Sequence, residues 1–322
     1  MQADKNNTII GNTGFNIRKL PGYKRATTED VIIDIVVHAT LLLLCVATIY
    51  PFLNTLAYSF NNAIDSVRGG IYVWPRVFTL RNYEIILVGN PLIARAIFNS
   101  ATRALAGGFL SVFACLCVSY VFSRREFIMR KVFTPFLVFT MYFSGGLIPS
   151  FILIRNLGLI NNYLVYLLPT MMSAYNVMVM RSFIEGLPDS LVEAARIDGA
   201  SEYRILFQIV FPLSLPAVAT IALFVVVFQW NSWFDTMIYN SSEPKLTTLQ
   251  YELQKLLTSA QNLTSSDSVD AAMNAGEGAR AAVTPTSIRT AMTIIAVVPI
   301  LFVYPFLQKY FVKGLTIGGV KG

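Results

Sequence analysis

Charge is scarce in this chain of 322 residues: 13% are Asp, Glu, Lys or Arg, against 55% hydrophobic. Soluble domains carry about a quarter charged residues, so such a share excludes an ordinary globular fold if the apolar residues are clustered. They are. Runs with few or no charges recur at roughly 31–60, 96–122, 132–154, 163–183, 207–234 and 290–312, each longer than the ~18–20 residues a helix needs to cross a bilayer. With a mean hydropathy of +0.57, the pattern predicts an all-α polytopic membrane protein with six transmembrane helices.

Catalytic chemistry is missing too. His38 is the single histidine, which excludes most nucleophilic triads, and near one end of the first run it reads as an interfacial residue. Cys45, Cys115 and Cys117 all fall within apolar runs. Cys-x-Cys without further ligands is not a metal spacing, so the three read as buried thiols and no metal site is expected. No G-x-x-x-x-G-K-[ST] occurs, hence no cradle for ATP phosphates, and neither G-x-S-x-G nor H-E-x-x-H is present. No carboxylate pair is placed for acid–base work. The chain is not expected to be an enzyme or to bind a cofactor.

Carboxylates are also absent from the middle of every apolar run. Proton-coupled carriers usually need such a group or a histidine relay inside the membrane, and no internal repeat of the kind that builds inverted-repeat carriers is visible. A secondary carrier is therefore the weaker reading and an external motor the stronger one. Arg103 lies inside the second run; Arg155, Asp235 and Arg289 fall at outer ends and Arg181 at an inner end.

The charges that exist are mostly positive, +7 net with a pI near 9.3. Their distribution speaks for topology rather than nucleic acid. Lys5, Arg18, Lys19, Lys24 and Arg25 precede the first run; Arg124, Arg125, Arg130 and Lys131 crowd the link after the second; Lys309, Lys313 and Lys321 follow the sixth. The positive-inside rule then puts both termini and the links near 124–131 and 184–206 in the cytoplasm. Arg68, Arg76, Arg81 and Arg95 in the 61–95 loop weaken the bias, although long loops translocate largely regardless of charge. A polar tail of about thirty residues and a first run too long for an h-region argue against a cleaved signal peptide. The 236–288 loop starts with Leu246, Leu249, Leu253, Leu256 and Leu257 at helical spacing and continues rich in Ser, Ala, Asn and Gly.

Between the fourth and fifth runs lies the most informative stretch, EAARIDGASEYRILFQIVFPLSLP at 193–216. Pro188 suits a first helical turn, and Ser190 with Glu193 reads as a capping box. Leu191, Ala194 and Ala195 give a small flat apolar patch. Asp198-Gly199 ends that helix, Gly accepting a left-handed C-cap, and Ser201 can cap the next, which leads through Ile205 and Ile209 into the membrane. Pro212 and Pro216, one turn apart, predict a bend or hinge. Residue chemistry leaves two readings open: a knob presented to a cytosolic partner, or an interfacial amphipathic helix without one. Gly145-Gly146 with Pro149 likewise reads as a flexible point or as a close helix contact.

Glu193-Ala194-Ala195, Asp198-Gly199-Ala200, Ile209, Pro212 and Pro216 together resemble the EAA loop of permease subunits of binding-protein-dependent ABC importers. Asn99-Ser100, Ser119-Tyr120, Ser123-Arg124 and the ending GLTIGGVKG match as well. PILFVYPFLQKYFVKG and WNSWFD resemble the carbohydrate-uptake branch, the MalG-like and LplC/YtcP-like permeases with a MetI-type transmembrane domain. The resemblance covers about residues 30–322 and is weakest over 260–285.

It implies a type I ABC importer permease fold: a cytoplasmic tail at 1–30, a first helix and external loop at 31–92, a transmembrane domain at 93–306 with its external loop at 236–288, and a cytoplasmic tail at 307–322. It makes 188–200 the coupling helix, with Glu193, Ala194, Ala195, Asp198 and Gly199 as ATPase-coupling residues. The partners it implies are a second permease in a heterodimer, two cytosolic ATPase subunits that hold ATP-Mg, and an extracellular solute-binding lipoprotein or periplasmic binding protein. The place is a bacterial inner or plasma membrane, and the cargo an oligosaccharide or polysaccharide fragment moved by alternating access; a peptide or polyol is the alternative cargo. Saccharides offer hydroxyls for hydrogen bonds and flat C–H faces for aromatic stacking. The substrate-pathway residues are therefore Tyr142, Tyr166, Tyr175, Asn176, Gln229, Trp230, Asn231 and Trp233. Each also has an interfacial or helix-bridging reading. Met171, Met172, Met178 and Met180 would make the helix carrying Tyr166 and Tyr175 adaptable.

Overall fold

The computed structural model describes the backbone of residues 28–262 and 284–319 and the side chains of 28–258 and 284–305. Residues 1–27 of the expected N-terminal tail, 263–283 of the expected loop and the side chains of the C-terminal tail lie outside it. The chain divides after Phe52 into two units. Helix α1 (Thr28–Ser59) begins in the first unit. There Thr40 and Thr48 donate their hydroxyls to the carbonyls of Val36 and Leu44, so neither adds an unpaired polar group to an apolar helix.

The second unit is helical, and among the described residues no strand forms; Asn61 and Phe78 make an isolated bridge. Two short helices, α2 (Ala63–Val67) and α3 (Arg81–Leu87), lead to α4 (Pro91–Ser123). Asp65 pins the first connection, accepting from Asn61 Nδ2 at 2.9 Å and Arg76 Nε at 3.0 Å. These bonds, the Asn61 one foremost, hold its carboxyl below the usual range. Helix α4 starts as capping rules require: Asn90 accepts from Leu92 N, and Pro91 stands where no N–H is needed. Its 33 residues span about 50 Å at 1.5 Å per residue.

After α4 come α5 (Arg130–Tyr142), α6 (Leu147–Asn156), a 3₁₀ turn at Tyr163–Tyr166, α7 (Ala174–Glu185) and α8 (Asp189–Ile197). Then follow α9 (Glu202–Ile205), a π-helical stretch at Leu206–Val210, α10 (Phe211–Leu213), α11 (Leu215–Asn231), α12 (Leu249–Asn262) and α13 (Pro285–Gly319). Helices α4 and α11 meet at Gly107 and Gly108. A Cβ there would stand 2.7 Å from Gln229 Nε2 and from Val226 Cγ2 respectively, so any larger residue would force the facing side chain to shift. Trp230 on α11 donates its indole N–H to Ala296 O on α13 at 2.9 Å, and Ser119 on α4 donates to Val177 O on α7 at 2.9 Å. The helix expected from the leucine spacing exists as α12, with Leu249 and Leu253 buried against Ile93, Ala104 and Met292.

The six continuous spans expected from hydropathy do not all form. Three helices are long and apolar enough to cross a membrane, α1, α4 and α13, or up to five spans if each of two bent pairs is counted once. The 132–154 run bends by 115° between α5 and α6, where Gly146 has φ +86° and nothing within 4 Å of an added Cβ. Backbone conformation, not close packing, is what that glycine supplies. The 207–234 run bends by 81° between α10 and α11 at Ser214. The 163–183 run gives a 3₁₀ turn and the 12-residue α7, too short to span alone. Pro169 explains the interruption, since its ring forbids an interior helical bond.

Candidate functional site

Helix α8 is the shortest route from sequence pattern to a surface feature. Its single buried side chain is Val192, which packs in a cluster with Leu116 and Tyr120 of α4, Met180 and Ile184 of α7, and Ile205. The other face is exposed: Leu191, Glu193, Ala194 and, at 87%, Ile197. Among the described residues Glu193 has no ion-pair partner. The expected capping box does not form. Pro188 is itself the N-cap, without a side-chain bond, and Ser190 already lies inside the first turn. Asp189 takes over, its carboxylate lying where the helix dipole favours negative charge.

The C-terminal end is as the Asp-Gly pair predicts. Gly199 has φ +75°, its N–H bonds Arg196 O at 3.0 Å, and the Ala200 N–H reaches Ala195 O at 2.9 Å. That is a Schellman motif. Ser201 then caps α9 by accepting from Arg204 N. The bend at Ser214 falls between Pro212 and Pro216, the residues expected to loosen the backbone.

A network that sequence spacing does not reveal lies under α8. Arg196 donates from Nε and Nη2 to Glu202 Oε1 at 3.1 and 2.9 Å, and from Nη1 to Glu126 Oε1. The other oxygen of Glu202 accepts from the Tyr120 hydroxyl, and the Arg124 guanidinium sits 4.7 Å over the Tyr120 ring. Arg196 holds the Glu126 carboxyl below its usual range. The two carboxylates, Glu126 first, raise the guanidinium's own pKa.

Toward the other end of α4, Arg103 is fully buried and paired with Asp235, with Nη1 3.1 Å from Oδ1. Its Nε donates to Gln229 Oε1 at 2.7 Å, and it lies 4.5 Å over the Tyr166 ring. Gln229 in turn donates to Thr170 Oγ1 and Tyr166 O, and Tyr166 donates to Leu246 O. Of the eight expected pathway residues, Tyr166, Gln229 and Trp230 are thus committed to internal hydrogen bonds. Asn176 is buried, while Tyr142 and Tyr175 are exposed, and Tyr166 and Tyr175 lie in different elements, the 3₁₀ turn and α7, rather than on one helix. Asn231 is exposed, accepting from Gln250 Nε2 and donating to Val227 O. Asn231 and Trp233 are brought together with Phe224, Phe228, Phe234 and Tyr304 along a groove of about 540 Å3 between α11 and α13. Among the described residues no group of three or more His, Cys, Asp or Glu side chains could hold a metal ion.

Long and broken apolar helices, three to five of them candidate membrane spans, together with the exposed face of α8, have the build of a multi-pass membrane protein. Residues 107–317 match the family described as binding-protein-dependent transport system inner membrane component, and the chain belongs to that family, the permeases of ABC transporters. It is 34% identical over 294 residues to the polygalacturonan/rhamnogalacturonan transport system permease protein YtcP of Bacillus subtilis (strain 168), covering 91% of this chain and 100% of that one. It is 33% identical over 275 residues to protein LplC of the same organism, covering 85% and 90%. Among solved structures, a chain of a bacterial ABC transporter involved in the import of the acidic polysaccharide alginate matches with a TM-score of 0.79 and 27% identity, covering 89% of this chain and 99% of that one.

Proposed function

We propose that this chain is the transmembrane permease subunit of an ATP-driven importer that passes oligosaccharides or polysaccharide fragments from an extracellular binding protein into the cytoplasm by alternating access. The observation that carries the reading is α8: a glycine-capped helix whose exposed face consists of Leu191, Glu193, Ala194 and Ile197. Small side chains let a partner approach closely, and Glu193 offers a carboxylate for a basic group of a cytosolic ATPase. Ala195, partly buried against the core behind that face, seats the helix, and Asp198 and Gly199 set the turn. ATP-Mg belongs to that ATPase, and this chain makes and breaks no bond.

The saccharide cargo is supported by the polygalacturonan/rhamnogalacturonan permease and the alginate importer among the similar proteins. It is also supported by the groove where Asn231 and Trp233 stand among aromatic rings, which suits C–H faces and hydroxyls. The rest of the assembly in this reading is a second permease, two ATPase subunits and a solute-binding protein. The topology is six membrane crossings, the bent pairs and the 163–185 segment each counting as one, with a transmembrane domain over about 93–306 and both termini cytoplasmic. Pro212 and Pro216 flank the hinge.

The test is ATP-dependent uptake of a pectin or alginate oligosaccharide in membranes holding the full complex, native and with Gly199→Asp, with ATPase co-purification scored alongside. The variant is expected to insert but to lose both association and uptake. Retention of both would remove α8 as the docking element.

A further inference from the structure

We propose that Arg196 is the positioning residue that makes α8 move as one body with α4 and the 124–129 link, so that ATPase motion reaches the membrane helices rather than being lost at the Gly199 turn. The inference rests on reading α8 as the ATPase-docking helix and assigns to that reading a residue on the opposite, inward side.

The argument starts from how little holds α8. One side chain, Val192, is buried, Ala195 is partly buried against the same cluster, and at the start of the helix Asp189 meets Arg125 of the 124–129 link at 3.4 Å in a largely exposed pair. The covalent connection to α9 runs through Gly199, where nothing lies within 4 Å of an added Cβ, and beyond it only Ala200, partly buried against the core, braces the turn. A load on the exposed face would rotate α8 about that turn unless a second attachment resisted it. Arg196 supplies that attachment in two directions. Its Nε and Nη2 clasp Glu202 beyond the turn, and its Nη1 reaches Glu126 in the link that follows α4. Glu202 passes the connection on, because its second oxygen accepts from Tyr120 within α4, and Arg124 covers that ring.

Three segments are therefore joined by one planar guanidinium, and a fourth, α4, through Glu202. Lysine, with a single ammonium, cannot reproduce a fork that meets two carboxylates from fixed directions. Exposed ion pairs contribute little to stability, and Glu126 and Glu202 are both more than half exposed. A network so placed is better suited to fixing geometry than to holding the fold.

The experiment uses the complete complex of this chain with its partner permease, ATPase and binding protein, and reads three quantities: ATPase co-purification, ATP hydrolysis, and uptake per ATP hydrolysed. Arg196→Gln is expected to keep co-purification and hydrolysis while uptake per ATP falls about tenfold, a loss of the size usual for coupling energies. Arg196→Lys should fall between the two. The Glu126→Gln/Glu202→Gln double variant, which removes both acceptor charges without touching α8, should reproduce the loss, and combining it with Arg196→Gln should add little further. It also carries the test if Arg196→Gln fails to accumulate. Unchanged uptake per ATP in both would overturn the proposal. So would parallel loss of co-purification, which would place Arg196 in the docking face instead. Gly199→Asp, run beside them, separates the two failures: if it leaves co-purification intact, the docking reading itself has failed, and this inference with it.

Discussion

Gly199 and Gly107 are both glycines for a reason, and the reasons differ. At Gly199 the surroundings are empty and the backbone alone, at φ +75°, excludes a Cβ. Gly199→Ala should cost about 1–2 kcal/mol of local stability, and Gly199→Asn less, because Asn tolerates the left-handed region. Proteolysis or hydrogen exchange across 194–202 would read the difference. Gly107 is ordinary helix, and its Cβ would stand 2.7 Å from Gln229 Nε2. Gly107→Ala should therefore displace Gln229 from Arg103 and Thr170 and cost about 1–3 kcal/mol, as overpacking does, seen as a lower melting temperature in detergent. Arg103→Met should cost more, about 3–5 kcal/mol, by leaving Asp235 uncompensated, whereas adding Asp235→Leu should recover most of the loss. None of these contacts can be read from spacing: Arg103 and Asp235 are 132 residues apart.

Helix α8 and the 124–129 link form the element pair most open to pH. Arg196 holds Glu126 below the usual carboxylate range, so the folded state binds that proton less readily than the unfolded chain. The sign follows: the contribution is fully present above the unfolded pKa, roughly 4.3, and is lost as pH falls through the lower folded value. Because Glu126 is 63% exposed, its size is under about 1 kcal/mol. Protection of the α8 amides, corrected for their intrinsic exchange rate, is thus expected to fall as pH drops below about 4.3, and Glu126→Gln should flatten that dependence. The bends belong with this pair. Proline and glycine announced where α10 gives way to α11 and α5 to α6, but their angles of 81° and 115° depend on what each half packs against. Hydropathy, which sums apolarity without direction, merged the halves into single spans. It likewise passed over Pro169, whose missing N–H was in plain view.

The sequence contains no G-x-x-x-x-G-K-[ST] and, in its apolar runs, no central carboxylate, and the proposed function assigns the energy source to a partner ATPase. Uptake through the assembled complex should stop when ATP is depleted and persist when a protonophore collapses the proton gradient, measured as labelled oligosaccharide accumulation in cells or proteoliposomes. The reverse result would support a secondary carrier. A second expectation concerns the groove between α11 and α13: Trp233→Ala should weaken uptake several-fold, consistent with the ~1 kcal/mol scale of one aromatic contact, without lowering ATPase co-purification.

Membrane class, helical architecture and the glycine-capped end of α8 were legible in the chain because they are local: apolar run length, capping chemistry and an ordered string of small and turn residues depend on neighbours a few positions away. Gly199 and the Pro212–Pro216 bend were found on those grounds. What tertiary structure alone decided is which side chains meet. It took Tyr166 and Gln229 out of open surface and into the Arg103 network, left Asn231 and Trp233 on a groove, and joined Arg196, Glu126, Glu202 and Tyr120 beneath α8. Those contacts join segments up to 132 residues apart, and partners that distant are chosen by helix packing, which no linear spacing encodes.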